Sequence, residues 1–375
     1  MNNIFRYATK ELSQDAFIAW ILSFATMGKE KYEQEESALY WSLAQNYLNK
    51  FVNKTRMLGT AKAEYMVDKI AMQEDKIDVF AIIYKADEPS KKIALIIEDK
   101  VYTSYHDNQI ERYYSKKKNQ YPDYEIKVIY YKTGPMVDEE DMGLEMLRKK
   151  GINIDVIRLD DIMDILGDLK VKDTYNIINM YKQYLSEKNQ ERLRVRRAIE
   201  EYKGNIYGEN NYLNTEYGQF VLMDHIFKNR KKLVMDDSEP ISFKDFIYNG
   251  SSRGTPWTQY WFFEEMHHKE DVANSEYRKS HGIFWRLDTD RISLRYYVNS
   301  GLIKPEHDET LNALREICSR IVTDGWKETR NHATYEFSLI ERRIGENDTY
   351  SNIISEVSML HKDFLKELEM AGALS

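Results

Sequence analysis

The residues whose types and spacing suit chemistry in this chain are Asp78, then Glu98 and Lys100, and shortly after them Gln109 and Tyr113. Side chains alternate across a strand, so in Leu95-Ile96-Ile97-Glu98-Asp99-Lys100-Val101 the Glu98 and Lys100 side chains project from one face and Asp99 from the other. An adjacent antiparallel strand carrying Lys76-Ile77-Asp78-Val79-Phe80 sets Asp78 beside them. Two carboxylates and an ammonium at the end of a sheet make an oxygen-rich site for Mg²⁺. The metal would polarise a phosphodiester and acidify a bound water, and Lys100 would orient that water or offset charge developing on the phosphate. The same Glu-x-Lys spacing also describes a surface ion pair, and spacing alone leaves both readings standing. The apolar company of Ile77, Val79, Ile96 and Ile97 favours burial. Gln109 and Tyr113 are one helical turn apart and share a face. By itself that spacing equally marks a polar helix edge.

The elements that must position these residues follow from periodicity. Lys10 to Phe24 and about Glu36 to Phe51 place apolar residues at helical spacings. Tyr65–Met72, Ile77–Tyr84 and Ile93–Tyr102 are short β-branched or aromatic runs. Gln73-Glu74-Asp75 and Asp87-Glu88-Pro89-Ser90 separate them as turns, which predicts three consecutive antiparallel strands. Asp107–Lys118 reads as a helix, Glu125–Tyr131 as a strand, Glu139–Lys150 as a helix and Ile154–Leu159 as a strand, with helices continuing to about Glu200. This order predicts an α/β domain over residues 1–190, a mixed sheet between helices. Residues 191–375 are expected to form a C-terminal α+β domain of unassigned role. It contains the polar stretch Asn205–Asn214, a hairpin from Ile283–Leu287 to Arg291–Val298, and a terminal helix over Ser351–Met370.

Composition narrows the function classes. The chain has 375 residues, with 54 Lys and Arg against 62 Asp and Glu, a formal net charge of -8. That is not the basic body of a general nucleic-acid binder, so contact with a polyanion must come from metal or from local patches. The patches on offer are Arg112 with Lys116-Lys117-Lys118, and Arg192, Arg194, Arg196 and Arg197. The first also reads as cations at a helix C-terminus. Tyr102, Tyr105, Tyr113 and Tyr114 can stack on bases or pack in a core. One cysteine, Cys318, fits a reducing compartment, and no apolar run is long enough to cross a bilayer, so a cytoplasmic protein is expected, with no membrane partner. The Lys, Asn, Ile and Tyr content hints at an AT-rich bacterial genome. His267-His268 lacks partners spaced for zinc, and neither a Gly-rich phosphate loop nor a G-x-S-x-G elbow is present.

Taken together, Glu11 on the first helix, Asp78, Glu98-Asp99-Lys100, Gln109 and Tyr113 resemble the PD-(D/E)XK nuclease superfamily, in particular its bacterial members that open with a helix like Lys10–Phe17. The resemblance covers about residues 5–160 and implies a restriction-endonuclease-like αβββαβ core. It further implies that Asp78 and Glu98 ligate Mg²⁺ or Mn²⁺ with help from the Asp99 carbonyl, that Glu11 completes or supports the metal shell, and that Lys100 is the catalytic lysine. Gln109 and Tyr113 would steady the metal site and the scissile nucleotide. Lys76-Ile77 stands where the pattern has its proline, a position that lends no chemistry. The activity implied is metal-dependent hydrolysis of DNA, or of RNA, in defence against foreign DNA, by a chain that pairs as a homodimer. The alternative is a catalytically silent nuclease-fold module that binds nucleic acid or protein.

Overall fold

The computed structural model describes Phe5 and residues 10–32, 34–53, 63–102, 108–136, 138–167, 176–201, 213, 215–229, 248–252, 255–262, 281–288, 290–298, 305–329, 332–333, 336–345 and 347–371. The chain divides into two compact units, Met1–Leu193 and Arg194–Ser375.

In the first unit, helices α1 (Lys10–Ser23) and α2 (Glu35–Val52) precede β1 (Tyr65–Met72), β2 (Val79–Lys85) and β3 (Glu88–Lys100). Then come α3 (Gln109–Gln120), β4 (Glu125–Lys132), α4 (Asp138–Lys149), β5 (Ile154–Arg158), α5 (Leu159–Gly167) and α6 (Ile177–Glu200). The five strands form one sheet in sequence order. Pairing is antiparallel from β1 to β3 and parallel from β3 to β5. The parallel steps are made by the crossover helices α3 and α4, which supply the length that such a connection needs. The turn between β2 and β3 is tighter than the polar run Asp87–Ser90 predicts. Glu88 already pairs with Lys85, and Pro89, Ser90 and Lys91 fall in the irregularity before Tyr84 pairs with Lys92. There proline's missing amide costs no ladder bond.

Alternation divides the sheet into two buried faces. Val79, Ala81, Ile83, Leu95, Ile97, Ile129, Tyr131 and Ile157 pack with α1, α2, α5 and α6. Phe80, Ile82, Ala94, Ile96, Val128, Tyr130 and Val156 pack with α3 and α4. By the same alternation Glu98 and Lys100 fall on the α3 and α4 face, while Asp99 falls on the other.

The second unit holds α7 (Glu216–Asn229), β6 (Tyr248–Ser252), β7 (Thr255–Trp261), β8 (His281–Asp288), β9 (Arg291–Val298), α8 (Pro305–Ile321), β10 (Lys327–Glu328), β11 (His332–Ala333), β12 (Glu336–Arg343) and α9 (Tyr350–Met370). The strands make a second, antiparallel sheet in which Leu287 faces Ile292 and Trp285 faces Leu294. Thr349 caps α9 by accepting from the Asn352 amide at 3.2 Å. His267, His268, Tyr105 and all of Asn205–Asn214 but Leu213 lie outside the described residues. Among the described residues no helix is long and apolar enough to cross a membrane.

His361 of α9 is buried, with the Phe262 ring 4.6 Å away and the Trp285 indole donating to its Nδ1 at 3.3 Å. Burial disfavours the charged imidazole and lowers its pKa from 6.5 to about 4. Between those values the unfolded chain binds a proton that the folded unit does not, so stability is lost as pH falls from about 6.5 toward 4. Relative to His361→Phe, we expect the wild type to lose roughly 3 kcal/mol across that window, by urea denaturation at a series of pH values. A wild-type-to-variant difference that does not change with pH rejects this.

Candidate active site

The site is assembled at the end of the first sheet. Val79 pairs with Ile97, so one step earlier on the antiparallel strand Asp78 comes opposite Glu98. Asp78 lies one residue before β2 rather than within it. Its Oδ2 accepts the Asp99 amide at 2.9 Å, and its Oδ1 accepts from Gln73 Nε2 at 3.3 Å. The anchor is thus a backbone group whose position is set by β3.

Glu98 is 0% exposed and Lys100 7% exposed, which removes the surface-pair reading. A buried carboxylate keeps its charge only if neighbours replace the water it has lost. Here Glu98 Oε1 accepts from Lys100 Nζ at 2.5 Å and from Gln109 Nε2 at 2.7 Å. The amide of Gln109 also donates to the Tyr113 hydroxyl at 3.0 Å, and that hydroxyl donates to the Lys76 carbonyl at 2.7 Å. One turn of α3 therefore ties the Glu98 carboxylate to the backbone just ahead of Asp78. The structure brings together Asp78, Glu98, Lys100, Gln109 and Tyr113. The Asp99 side chain is on the opposite face, where its charge contributes to raising the Tyr181 and Tyr184 hydroxyl pKa values, chiefly lifted by burial. Glu11 belongs to α1, and its side chain lies outside the described residues.

The basic cluster on α3 is divided: Lys117 is withdrawn from the surface, while Arg112, Lys116 and Lys118 are exposed. Lys117 is 0% exposed, with Nζ 2.6 Å from Glu74 Oε1, 2.9 Å from Asp75 Oδ2 and 4.0 Å from the Phe80 ring centroid. Lys116 pairs with Asp75 at 2.6 Å, and Lys118 donates to the Pro122 carbonyl at 3.3 Å. The ammonium groups of Lys116 and Lys117 hold the Asp75 carboxyl well below the ordinary carboxylate range. For Glu74 burial pushes upward, but Lys117 and Lys69 outweigh it and the net shift is down. In the second cluster Arg192 pairs with Asp160 at 2.6 Å and Arg196 with Glu200 at 3.4 Å. Tyr102 and Tyr113 are buried, which answers to core packing rather than base stacking.

A neighbouring feature escaped the sequence reading. Lys132 pairs with Lys100 in the parallel ladder and shares its face. It is buried and bonds Glu140 Oε1 at 3.0 Å, and the same oxygen accepts the Tyr130 hydroxyl. The signal was present in the alternation Ile126, Val128, Tyr130, Lys132, which carries a charge onto a buried face as Ile96, Glu98, Lys100 does. Gly134 follows; a Cβ there would lie 1.9 Å from the Val101 carbonyl oxygen, so only glycine lets the segments after β3 and β4 meet.

The donor set fits a hard divalent cation. Carboxylate oxygens of Asp78 and Glu98 with a backbone carbonyl are oxygen ligands of the kind Mg²⁺ and Mn²⁺ take. Among the described residues no group of three or more His, Cys, Asp or Glu lies together. Two carboxylates suit Mg²⁺, which keeps several of its waters rather than sitting in a closed protein cage.

A mixed five-stranded sheet between helices, with an acidic residue ahead of β2 and Glu-x-Lys ending β3, defines the class, and the chain belongs to the PD-(D/E)XK nuclease superfamily. That family's model matches residues 2–203. Its members are generally nucleases and generally use divalent metals such as Mg²⁺ or Mn²⁺. No curated protein matches the chain. Among solved structures, the N-terminal domain of FACT complex subunit SPT16 from Eremothecium gossypii (Ashbya gossypii) is 12% identical, over 76% of this chain and 74% of that one, at a TM-score of 0.13. That score carries no argument.

Removing one member of a buried ion pair strands the other, at about 3–5 kcal/mol, whereas replacing both is far milder. Lys100→Met is expected to lower the unfolding free energy by roughly that amount in metal-free urea titrations, and Glu98→Gln/Lys100→Met to recover most of it. Additive losses would show that the two groups do not depend on one another.

Proposed function

We propose that this chain is a metal-dependent nuclease that hydrolyses phosphodiester bonds in DNA, and that it acts in the cytoplasm against foreign DNA. The observation that carries the reading is the buried Glu98–Lys100 pair, its carboxylate also held by Gln109, set opposite Asp78 at the end of a sheet. A stability role alone gives a poor account of it, since a buried pair contributes little more than apolar side chains of the same volume.

Asp78 and Glu98, with the Asp99 carbonyl, would hold the cation. When bound, the cation supplies Lewis-acid polarisation of the phosphodiester and a water acidified for attack. The chain's own residues do the rest. Lys100 keeps an ammonium beside Glu98, where it orients the water or offsets the charge growing on the phosphate. Gln109 fixes the orientation of the Glu98 carboxylate, and Tyr113 fixes Gln109. Glu11 is the remaining acidic residue that the family pattern assigns to the metal shell.

The test incubates plasmid and linear DNA with the full chain and Mg²⁺ or Mn²⁺, beside Asp78→Ala and Lys100→Ala. Cleavage by the wild type that falls at least about a hundredfold in both variants is the expected result. Equal cleavage by all three would assign the activity to a contaminant. Binding of DNA without cleavage under either metal would assign the chain to the silent nuclease-fold class instead.

A further inference from the structure

Asp78 is delivered by an unusual turn. Gln73, Asp75 and Lys76 have φ of 56°, 60° and 69°, three non-glycine residues in the left-handed region within four positions. L side chains are disfavoured there, so such a turn persists only where its surroundings over-determine it. Its internal backbone bonds include the Ile77 amide donating to the Glu74 carbonyl at 3.0 Å, the Lys76 amide to the Gln73 carbonyl at 3.3 Å and the Gln73 amide to the Asp78 carbonyl at 3.2 Å.

External restraint comes from Lys69 of β1, which pairs with Glu74 at 2.6 Å, and above all from α3. Gln109, Tyr113 and Lys117 recur every four residues on one helix face, and each grips a successive part of the site: Glu98, the Lys76 carbonyl, then Glu74 and Asp75. Lys117 is fully buried, and its ammonium lies over the Phe80 ring. A desolvated cation demands its carboxylate partners, and those partners, Glu74 and Asp75, lie inside the strained segment. We infer that Lys117 is a positioning residue that clamps the 73–77 turn and so sets the Asp78 carboxylate where it accepts the Asp99 amide and meets a divalent cation. The cation half of this rests on the function proposed above.

The test compares the full-length wild type with Lys117→Met, Lys117→Met/Lys76→Gly and Asp75→Asn. Mn²⁺ affinity is read by calorimetry. Exchange of the Asp99 amide, which donates to Asp78, is read without metal. Lys117→Met keeps the buried stem and removes the charge. It should weaken Mn²⁺ binding about tenfold and speed Asp99 exchange about tenfold, with β4 amides unchanged. Lys76 has an exposed side chain and a φ of 69°, so Lys76→Gly relieves strain while keeping the backbone carbonyl that Tyr113 holds. It should restore most of both losses, a rescue that a purely packing role for Lys117 does not produce. If Lys117→Met does not fold, Asp75→Asn, which leaves the Glu74 bond in place, should show the same changes at about threefold. Unchanged Asp99 exchange in the folded variants, or failure of Lys76→Gly to rescue, overturns the clamp. A wild type that takes up no Mn²⁺ overturns the cation reading instead, and the exchange measurements then decide the clamp separately.

Discussion

A carboxylate with no exposed surface, placed at the end of a hydrophobic strand, has to find its charge balance within the protein. Glu98 is in that position, and the arrangement of the first unit's sheet end follows from satisfying it. The first partner is Lys100, which reaches the same face because strand side chains repeat every two residues. The second is Gln109, which requires α3 to start close to the end of β3 and to lie across that face. Lys100 then faces Lys132 across the ladder, where strands run about 4.8 Å apart. Two ammonium groups at that spacing repel unless each has its own counter-charge. Glu98 serves one and Glu140 the other, so two ion pairs stand side by side on adjacent strands.

The same face asks for a third acidic group ahead of β2, and the backbone that brings it there is strained. Left-handed conformations at non-glycine residues cost of order 1–3 kcal/mol each, and this turn holds three. Glycine would remove the strain, and this turn uses none. Side chains bound to α3 hold the turn in one shape instead. Glu74 and Asp75 sit in the turn as partners for Lys117 and Lys116, and Tyr113 takes the Lys76 carbonyl between them.

Much of this was legible in the sequence because it is local. The faces of β3 follow from alternation, and the apolar neighbours of Glu98 and Lys100 pointed to burial before any coordinates. The shared face of Gln109 and Tyr113 follows from the helical period. Lys117 was not legible. Beside Lys116 and Lys118 it reads as one more cation on a solvated helix end, and its partners are 42 and 43 residues away in the chain. No periodicity encodes that distance; it arises only when α3 packs over the β1–β2 turn. Gly134 escaped for the same reason, since its close neighbour Val101 belongs to another strand end.

The net charge of -8 takes on a different meaning once the pairings are known. Several of the cations that looked available to a polyanion are engaged: Lys116 and Lys117 by Asp75 and Glu74, and Arg192 by Asp160. Among the described side chains, Asp78, Glu98 and Lys100 face the site with one net negative charge, which repels a phosphodiester. A divalent cation held there would offset that charge, and a bound ion of that kind is often the largest local charge in a site. On this reading the acidity of the chain is part of how the site discriminates. In the proposed nuclease, nucleic acid would be repelled from the site without metal, so affinity for it and competence to cut it would arise together when the cation binds.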